Sequence, residues 1–406
     1  MMNMSRALFV LLTIFCLSDL SAADRTLRVD YVFSGTDRSS EISLDRMFCF
    51  DGWAGRRTNL DRVPVRGNGQ ICMTEAATGD TLYRQSFSTL FQEWQTTEEA
   101  AHVRRAFENV FLLPMPEVKS YVEVEIYDPY GNVSASLKHE VEPSDILIRH
   151  LDPPVKEHRY ILRSGDPSEK IDVLIAAEGY TDEEKDDFYQ DASAAVEALL
   201  AHEPFGSFRD RFNFVAVPLC SADSGVSVPG KGEWKDTALK AHFDTFYMDR
   251  YLTTLAMGNL HDQLCGVPYE HIIILANTDV YGGGGVYNSY TLTTAGHRFF
   301  KPVVVHEFGH SFAGLADEYY YDDQYVESYF AGSEPWEQNI TTMADFGSKW
   351  KDMLDAGQAQ LYEGGGYQSK GVWRPAADCR MHTNTAEDFC PVCRRAISRI
   401  IMFYTE

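Results

Sequence analysis

The chain has few positive charges and no basic cluster. Of its 406 residues, 36 are Lys or Arg and 60 are Asp or Glu, which gives a formal net charge of −24. An acidic surface of this kind repels phosphate backbones and anionic lipid headgroups. We therefore expect no nucleic-acid partner.

Apolar runs long enough to cross a membrane are also lacking. The apolar run 7–17 is shorter than the ~20 residues that span a bilayer, so we expect no transmembrane segment. It follows Arg6 and precedes small residues at 21–23, the layout of a secretory signal peptide. We predict a signal peptide over 1–23 and export to the periplasm, the cell surface or the extracellular space. Cys16 lies inside the run behind a bulky residue, which disfavours a lipid anchor there.

The second CxxC motif that a zinc ribbon requires is missing. Cys390 and Cys393 form a single CxxC, and removal of the leader would leave seven cysteines. Disulfides are the usual state of cysteines in an exported protein. We predict one disulfide between Cys379 and either Cys390 or Cys393, and another between Cys220 and Cys265.

Two different hydrophobic patterns divide the mature chain. From about residue 26 to 145, apolar and polar residues alternate with period two, as in half-buried strands. The alternation is clear at Leu27, Val29, Tyr31 and Phe33. It recurs at 122–126, before the turn sequence DPYGN at 128–132, which predicts a β-hairpin. We predict an all-β sandwich domain over 24–150.

The pattern changes after the prolines and polar residues of 146–168. Short apolar runs at 171–177, 212–219 and 271–276 are typical of buried strands. The first run leads into Thr181 and Glu184, which have capping-box spacing, and then into a helical pattern. Strands alternating with helices predict an α/β domain over 151–406.

Residues 306–319 read HEFGHSFAGLADEY. His306 and His310 are four residues apart and share one face of the predicted helix, so both imidazoles can reach one ion. Glu307 lies beside that face, where its carboxylate can accept the proton of an activated water. The pattern predicts one catalytic Zn²⁺ ion.

A third protein ligand is expected just after this helix. Gly314 can end the helix because glycine tolerates a left-handed backbone. The acidic residues Asp317 and Glu318 follow at once, and either can fold back to the ion. Three protein ligands would leave one zinc position open, as in catalytic sites.

The chain resembles the M64 metallopeptidases, a family named for an immunoglobulin A peptidase. The resemblance rests on HEFGHSFAGLADEY together with DCRMHTN at 378–384 and FCPVC at 389–393. DVLIAAEGYT at 172–181 and SADSGVSVP at 221–229 agree with it, and the β region is similar to the domain that precedes the peptidase in many members. The resemblance implies an all-β amino-terminal domain followed by an α/β metzincin-like zinc peptidase domain.

The resemblance also implies individual roles. Gly314 matches the metzincin glycine turn with one extra residue before it, and an unchanged interval from glycine to ligand selects Asp317, with Glu318 as the alternative. Met381 matches the methionine turn beneath the metal. Apart from the resemblance, Tyr319 either donates to the oxyanion or to a ligand, or belongs to a packed aromatic patch over 319–321. Glu318, if not a ligand, would orient a histidine.

The glycine run at 282–285 precedes a polar, strand-like segment at 286–295. In such peptidases an edge strand here pairs with an extended peptide, which favours a polypeptide substrate. We interpret the glycines as a flexible rim of the cleft, since the lysine of a phosphate-binding loop is missing.

We therefore predict an exported zinc endopeptidase that hydrolyses extracellular or host proteins. One alternative is a zinc amidase that acts on cell-wall or glycan amides, because the same chemistry serves any carbonyl. Another is a surface protein whose β domain binds a glycan or protein ligand alongside a secondary peptidase domain.

Overall fold

The computed structural model describes residues 24–321, 329–330 and 332–406. The predicted signal peptide and Cys16 lie outside these residues. Within the described ranges, no helix is long and apolar enough to span a membrane.

Between residues 24 and 150 the chain forms two four-stranded sheets with strand orders β5-β1-β2-β8 and β4-β3-β6-β7. A short helix, α1 (Leu90–Trp94), precedes β5. The strands are β1 (Arg25–Thr36), β2 (Ser39–Asp51), β3 (Gly69–Glu75), β4 (Thr81–Phe87), β5 (Arg105–Pro114), β6 (Ser120–Tyr127), β7 (Val133–Val141) and β8 (Arg149–His150).

The alternating pattern gives each of these sheets an apolar face. Leu27, Val29 and Phe33 on β1 are fully buried. The two faces meet, because the ring centroid of Phe87 on β4 lies 6.2 Å from that of Phe33 and 4.6 Å from that of Phe111 on β5. The predicted hairpin is confirmed, since β6 and β7 pair antiparallel.

The second part is built on a six-stranded sheet with order β13-β14-β12-β10-β11-β9. The four inner strands run parallel, and both edge strands are antiparallel to their neighbours. The inner strands are buried on both faces, which explains their continuous apolar runs. The strands are β9 (Arg159–Arg163), β10 (Ile171–Glu178), β11 (Phe212–Val217), β12 (His271–Ala276), β13 (Gly283–Val286) and β14 (Tyr290–Thr294).

Helices and a hairpin complete this part. The capping box of Thr181 and Glu184 is present and leads into the next helix. The elements are α2 (Lys185–Leu200), α3 (Met257–Leu264), α4 (Phe300–Ala313), α5 (Lys351–Asp355), β15 (Tyr362–Gly365), β16 (Gln368–Arg374) and α6 (Pro391–Thr405). Helix α4 packs on β13 and β14 and also contacts α2 and α6.

Most of the glycine run, interpreted from the sequence as a flexible rim, lies in a strand. Residues 283–286 form the edge strand β13, and the predicted strand at 286–295 contains the hairpin turn and β14. A Cβ on Gly285 would lie 2.3 Å from the Glu307 carbonyl oxygen, and one on Gly283 would lie 2.9 Å from Glu307 Oε1. The glycines therefore allow the sheet edge to approach α4 closely.

Neither predicted disulfide is present, because all seven cysteines of the described residues are free. Cys265 is buried beside Arg28 of the first domain, whereas Cys220 is exposed after β11. The Sγ atoms of Cys379 and Cys393 are 3.8 Å apart, well beyond the ~2.05 Å of a disulfide bond.

Candidate metal centre

Helix α4 carries two histidines toward one point. Val304, Val305 and Phe308 are fully buried and fix its orientation. The helix ends at Ala313, and Gly314 follows in the left-handed region with φ of 59°. The next residues can therefore return toward the histidines.

Three ligand-type atoms meet where the chain returns. The Nε2 atoms of His306 and His310 are 3.0 Å apart. Asp317 Oδ1 lies 2.9 Å from Nε2 of His306 and 3.2 Å from Nε2 of His310. Two imidazoles and a carboxylate form a donor set that suits zinc.

The outer nitrogens of both rings contact backbone carbonyl groups. His306 Nδ1 lies 2.9 Å from the Arg380 oxygen, and His310 Nδ1 lies 2.5 Å from the Leu315 oxygen. Such carbonyls hold the proton on Nδ1 and direct the Nε2 lone pair inward. Two lone pairs and a carboxylate oxygen that face each other fit a shared cation.

Asp317 is held from its other side. Its Oδ2 accepts a hydrogen bond from the Tyr367 hydroxyl, whereas its buried Oδ1 faces the Nε2 atoms of both histidines. Burial lowers the pKa of His310, but the Asp317 carboxylate offsets this effect and the pKa rises to about 9. The three groups thus favour positive charge between them.

Glu307 lies against β13. Its carboxylate faces Gly283, because a Cβ added to Gly283 would lie 2.9 Å from Glu307 Oε1. Burial raises the pKa of Glu307 above its usual range, which brings this carboxyl closer to the proton affinity of an effective general base near neutral pH.

Glu318 points to a different group of residues. It is fully buried, and its Oε1 lies 3.0 Å from Asn339 Nδ2 and 3.1 Å from Cys393 Sγ. Of the two acidic residues considered as third ligand, the structure brings Asp317 to the histidine pair and places Glu318 beside the cysteines.

Two family models match the chain. The model described as IgA Peptidase M64 matches residues 160–361 and 356–401, and the model described as Peptidase M64 N-terminus matches 19–138. The chain belongs to the M64 peptidase family. It therefore has the family's two-domain architecture, in which an amino-terminal domain precedes the metallopeptidase domain. The exact domain boundaries stay a prediction.

Other comparisons add little to this assignment. No curated protein matches the chain. A crystal structure from Bacteroides fragilis, described as a candidate beta-galactosidase, is 9% identical over 61% of this chain and 33% of that one, with a TM-score of 0.13. The M64 peptidase thus spans about a third of that protein's length. A TM-score this low does not show a shared fold.

The loop before α6 packs against the helix that carries the histidines of this M64 peptidase. Met381 is fully buried, and a Cβ on Gly309 of α4 would lie 2.7 Å from its Sδ. The Met381 oxygen accepts a hydrogen bond from Glu318 N at 2.7 Å. Met381 therefore touches α4 between the two turns that carry the histidines.

Tyr319 lies beside the histidines in a group of aromatic rings. Its ring centroid is 6.4 Å from that of His306 in a stacked arrangement and 5.3 Å from that of Tyr367. The hydroxyl that contacts Asp317 belongs to Tyr367, which sequence reasoning missed. Tyr367 is far from Asp317 in sequence, and only the folding of the β15–β16 hairpin brings the two together.

The first domain also reaches the centre of the M64 peptidase, which the sequence did not indicate. Glu93 on α1 accepts a hydrogen bond from the Tyr251 hydroxyl. Burial raises the pKa of Glu93 to about 7, partly offset by Tyr251 and the charge of His310. Tyr251 forms an isolated β-bridge with Gly283, and Gly283 N donates a hydrogen bond to the Arg250 oxygen at 3.4 Å. The segment that contains Arg250 and Tyr251 therefore covers part of the β13 edge.

Proposed function

We propose that the protein is an exported zinc endopeptidase in which His306, His310 and Asp317 hold the ion. The observation that carries this proposal is the convergence of their three ligand atoms within 3.2 Å beside Glu307. Bound zinc would supply a Lewis acid that polarises the scissile carbonyl and lowers the pKa of water.

Glu307 performs the proton transfers. Its carboxylate accepts a proton from the attacking water and then donates it to the amine that leaves when the peptide bond breaks. The raised pKa of this buried carboxyl supports both steps, because the group can hold the proton between them.

The remaining residues position this machinery. Tyr367 holds Asp317 through Oδ2 and leaves Oδ1 directed at the histidines. The Arg380 carbonyl oxygen orients His306. The left-handed turn at Gly314 and the packing of Met381 beneath α4 support a metzincin-like arrangement.

The substrate path follows the open part of the β13 edge. Gly283 N is already bonded to Arg250, so a peptide would pair with the edge near Gly285, next to His310. Tyr319, whose ring stacks on that of His306, would donate to the developing oxyanion. Export rests on the signal-peptide pattern of residues 1–23.

The family match favours peptide bonds over cell-wall or glycan amides. No observation on the described residues favours a glycan ligand for the first domain. Incubation of the purified enzyme with a denatured protein library and with peptidoglycan separates these functions: peptide fragments from the first support the proposal, and release from peptidoglycan alone would favour the amidase.

The role of Glu307 is tested by Glu307→Gln. General acid and base catalysis contributes about 10²–10⁴-fold, so the rate of peptide hydrolysis should fall by that factor while the bound metal remains. Glu197→Gln, at an exposed position on α2, is the matched control and should retain the wild-type rate. A metal-loaded Glu307→Gln enzyme with undiminished activity would refute this role.

A further inference from the structure

A second cluster of metal-ligating side chains lies behind the segment that carries Asp317. Ligand atoms of Glu318, Cys379, Cys390 and Cys393 all lie within 4.8 Å of one another. All four residues are buried, with exposed fractions between 0 and 5%. None of them has a role in the proposed hydrolysis.

The spacing of these atoms fits a tetrahedral ion. Zinc–sulfur bonds of about 2.3 Å in a tetrahedron place two sulfurs about 3.8 Å apart. The Sγ atoms of Cys379 and Cys393 are 3.8 Å apart, and Cys393 Sγ lies 3.1 Å from Glu318 Oε1. The four side chains thus surround a space of the size that one zinc ion needs.

The local backbone favours negatively charged sulfur at Cys390. Cys390 caps the amino terminus of α6, where its Sγ accepts a hydrogen bond from Cys393 N at 3.5 Å. Cys390 N donates to Cys379 Sγ at 3.2 Å. Amide donors and a helix amino terminus stabilise thiolates, which are the form that binds metal.

Glu318 points to a ligand independently of the cysteines. Its carboxylate is fully buried, and its Oε2 has no hydrogen-bond partner among the described residues. A buried carboxylate oxygen without a partner is costly. A cation between this group and the sulfurs would satisfy it.

We propose that Cys379, Cys390, Cys393 and Glu318 form a structural zinc site, separate from the catalytic centre. Four protein ligands close the coordination sphere, as in structural sites. Cys379 and Glu318 supply the two ligands that a second CxxC provides in a zinc ribbon. The inference does not depend on the proposed function.

The position of this site gives it a role in ordering the catalytic centre. Glu318 directly follows Asp317, and Cys379 directly precedes Arg380, whose carbonyl oxygen orients His306. An ion that ties Glu318 to Cys379 therefore fixes both segments that shape the histidine pair.

The experiment is zinc analysis of the full-length mature protein, with cobalt substitution to identify sulfur ligands. Two zinc ions per chain are expected. A variant with His306→Ala and His310→Ala should keep one zinc and, with cobalt, the intense near-ultraviolet band of sulfur-to-cobalt charge transfer. Cys265→Ser, at a buried cysteine outside the cluster, should leave both zinc ions in place.

A variant with Cys379→Ser and Cys393→Ser should lose one zinc and the charge-transfer band. Because that variant can fail to fold, thiol titration of the wild-type protein gives a second measurement: chelation should make three additional thiols reactive. Absence of the charge-transfer band from the cobalt-substituted wild-type protein, or a mass lower by two hydrogens from a disulfide within the cluster, would overturn the proposal. Loss of activity in the histidine variant with retention of the band separates this site from the catalytic one.

Discussion

Asp317 and Glu318 are neighbours in sequence, yet their side chains reach two different clusters. The backbone here is hydrogen-bonded on both sides: Glu318 N donates to the Met381 oxygen, and the Asp317 oxygen accepts from Gly366 N. With the backbone held in this way, the Asp317 carboxylate reaches the histidine pair and the Glu318 carboxylate reaches Cys393. The sequence could place both carboxylates near the helix end, but the choice between them depends on this backbone pairing.

Asp317→Ala should abolish hydrolysis without disturbing the cysteine cluster. Outer partners of metal ligands already alter affinity or activity about 10–100-fold, so loss of a ligand should reduce the rate by roughly 100-fold or more. The measurement is peptide hydrolysis of the zinc-reconstituted variant, together with its sulfur-to-cobalt charge-transfer band, which should persist. Glu318→Gln tests the alternative assignment. If Glu318 were the third ligand of the catalytic zinc, Glu318→Gln would abolish zinc binding to the histidines and Asp317→Ala would not.

His271 makes the stability of the fold depend on pH. It is buried in β12, and its ring centroid lies 4.8 Å from that of Phe312. Burial lowers its pKa from 6.5 to about 3. Below pH 6.5 the unfolded chain binds a proton that the folded chain does not, so the free energy of unfolding falls as the pH falls from 6.5 toward 3.

The contribution of His271 is about 1.4 kcal/mol per pH unit within that window. His271→Leu should reduce the slope of the free energy of unfolding against pH by this amount, as measured by urea unfolding between pH 7 and pH 5. Unchanged slopes for wild type and variant would show that His271 is not held neutral by the fold.

At the scale of elements, the contact between β13 and α4 sets the shape of the centre. Hydrophobic spacing predicted α4 and its end, because these depend on local residues. The same reasoning missed the purpose of the glycines, since the closeness of Gly285 to Glu307 and His310 is a tertiary feature. A glycine in a strand often marks such a close approach.

Gly285→Ala should therefore displace the strand from the helix. Its Cβ would lie 2.3 Å from the Glu307 oxygen and 2.8 Å from His310 Cβ, and overpacking of this kind costs about 1–3 kcal/mol. We expect lower stability in urea unfolding and slower hydrolysis. The control is Gly347→Ala, where the nearest atom lies 3.8 Å away. Equal behaviour of the two variants would contradict the close contact.

At the scale of the whole molecule, the two parts share buried polar contacts. Arg28 of β1 bonds Asp262 at 2.6 Å and the Gly258 oxygen at 3.1 Å, and Gly258 N donates to Glu108 at 2.8 Å. These bonds connect the first domain to α3, and the Glu93–Tyr251 contact connects it to the segment beside β13. The first domain thus contributes to the surroundings of the centre as well as to its own core.

The sequence revealed what is periodic or contiguous, and it missed what depends on distant segments. Alternation predicted the strands of the first domain, and the helical motif placed His306, Glu307 and His310 on one helix. The contact of Tyr367 with Asp317 and the meeting of Glu318 with three cysteines arise only when distant loops fold together. The disulfide prediction failed for the same reason, since spacing could not show a carboxylate among the thiols.

We propose that a metal ion held by His306, His310 and Asp317 enables peptide hydrolysis. This is tested by the cleavage rate of a denatured protein substrate by the mature enzyme before chelation, after complete metal removal, and after zinc is restored. Cleavage should be lost on chelation and should recover with zinc. Full cleavage by the metal-free enzyme would contradict it.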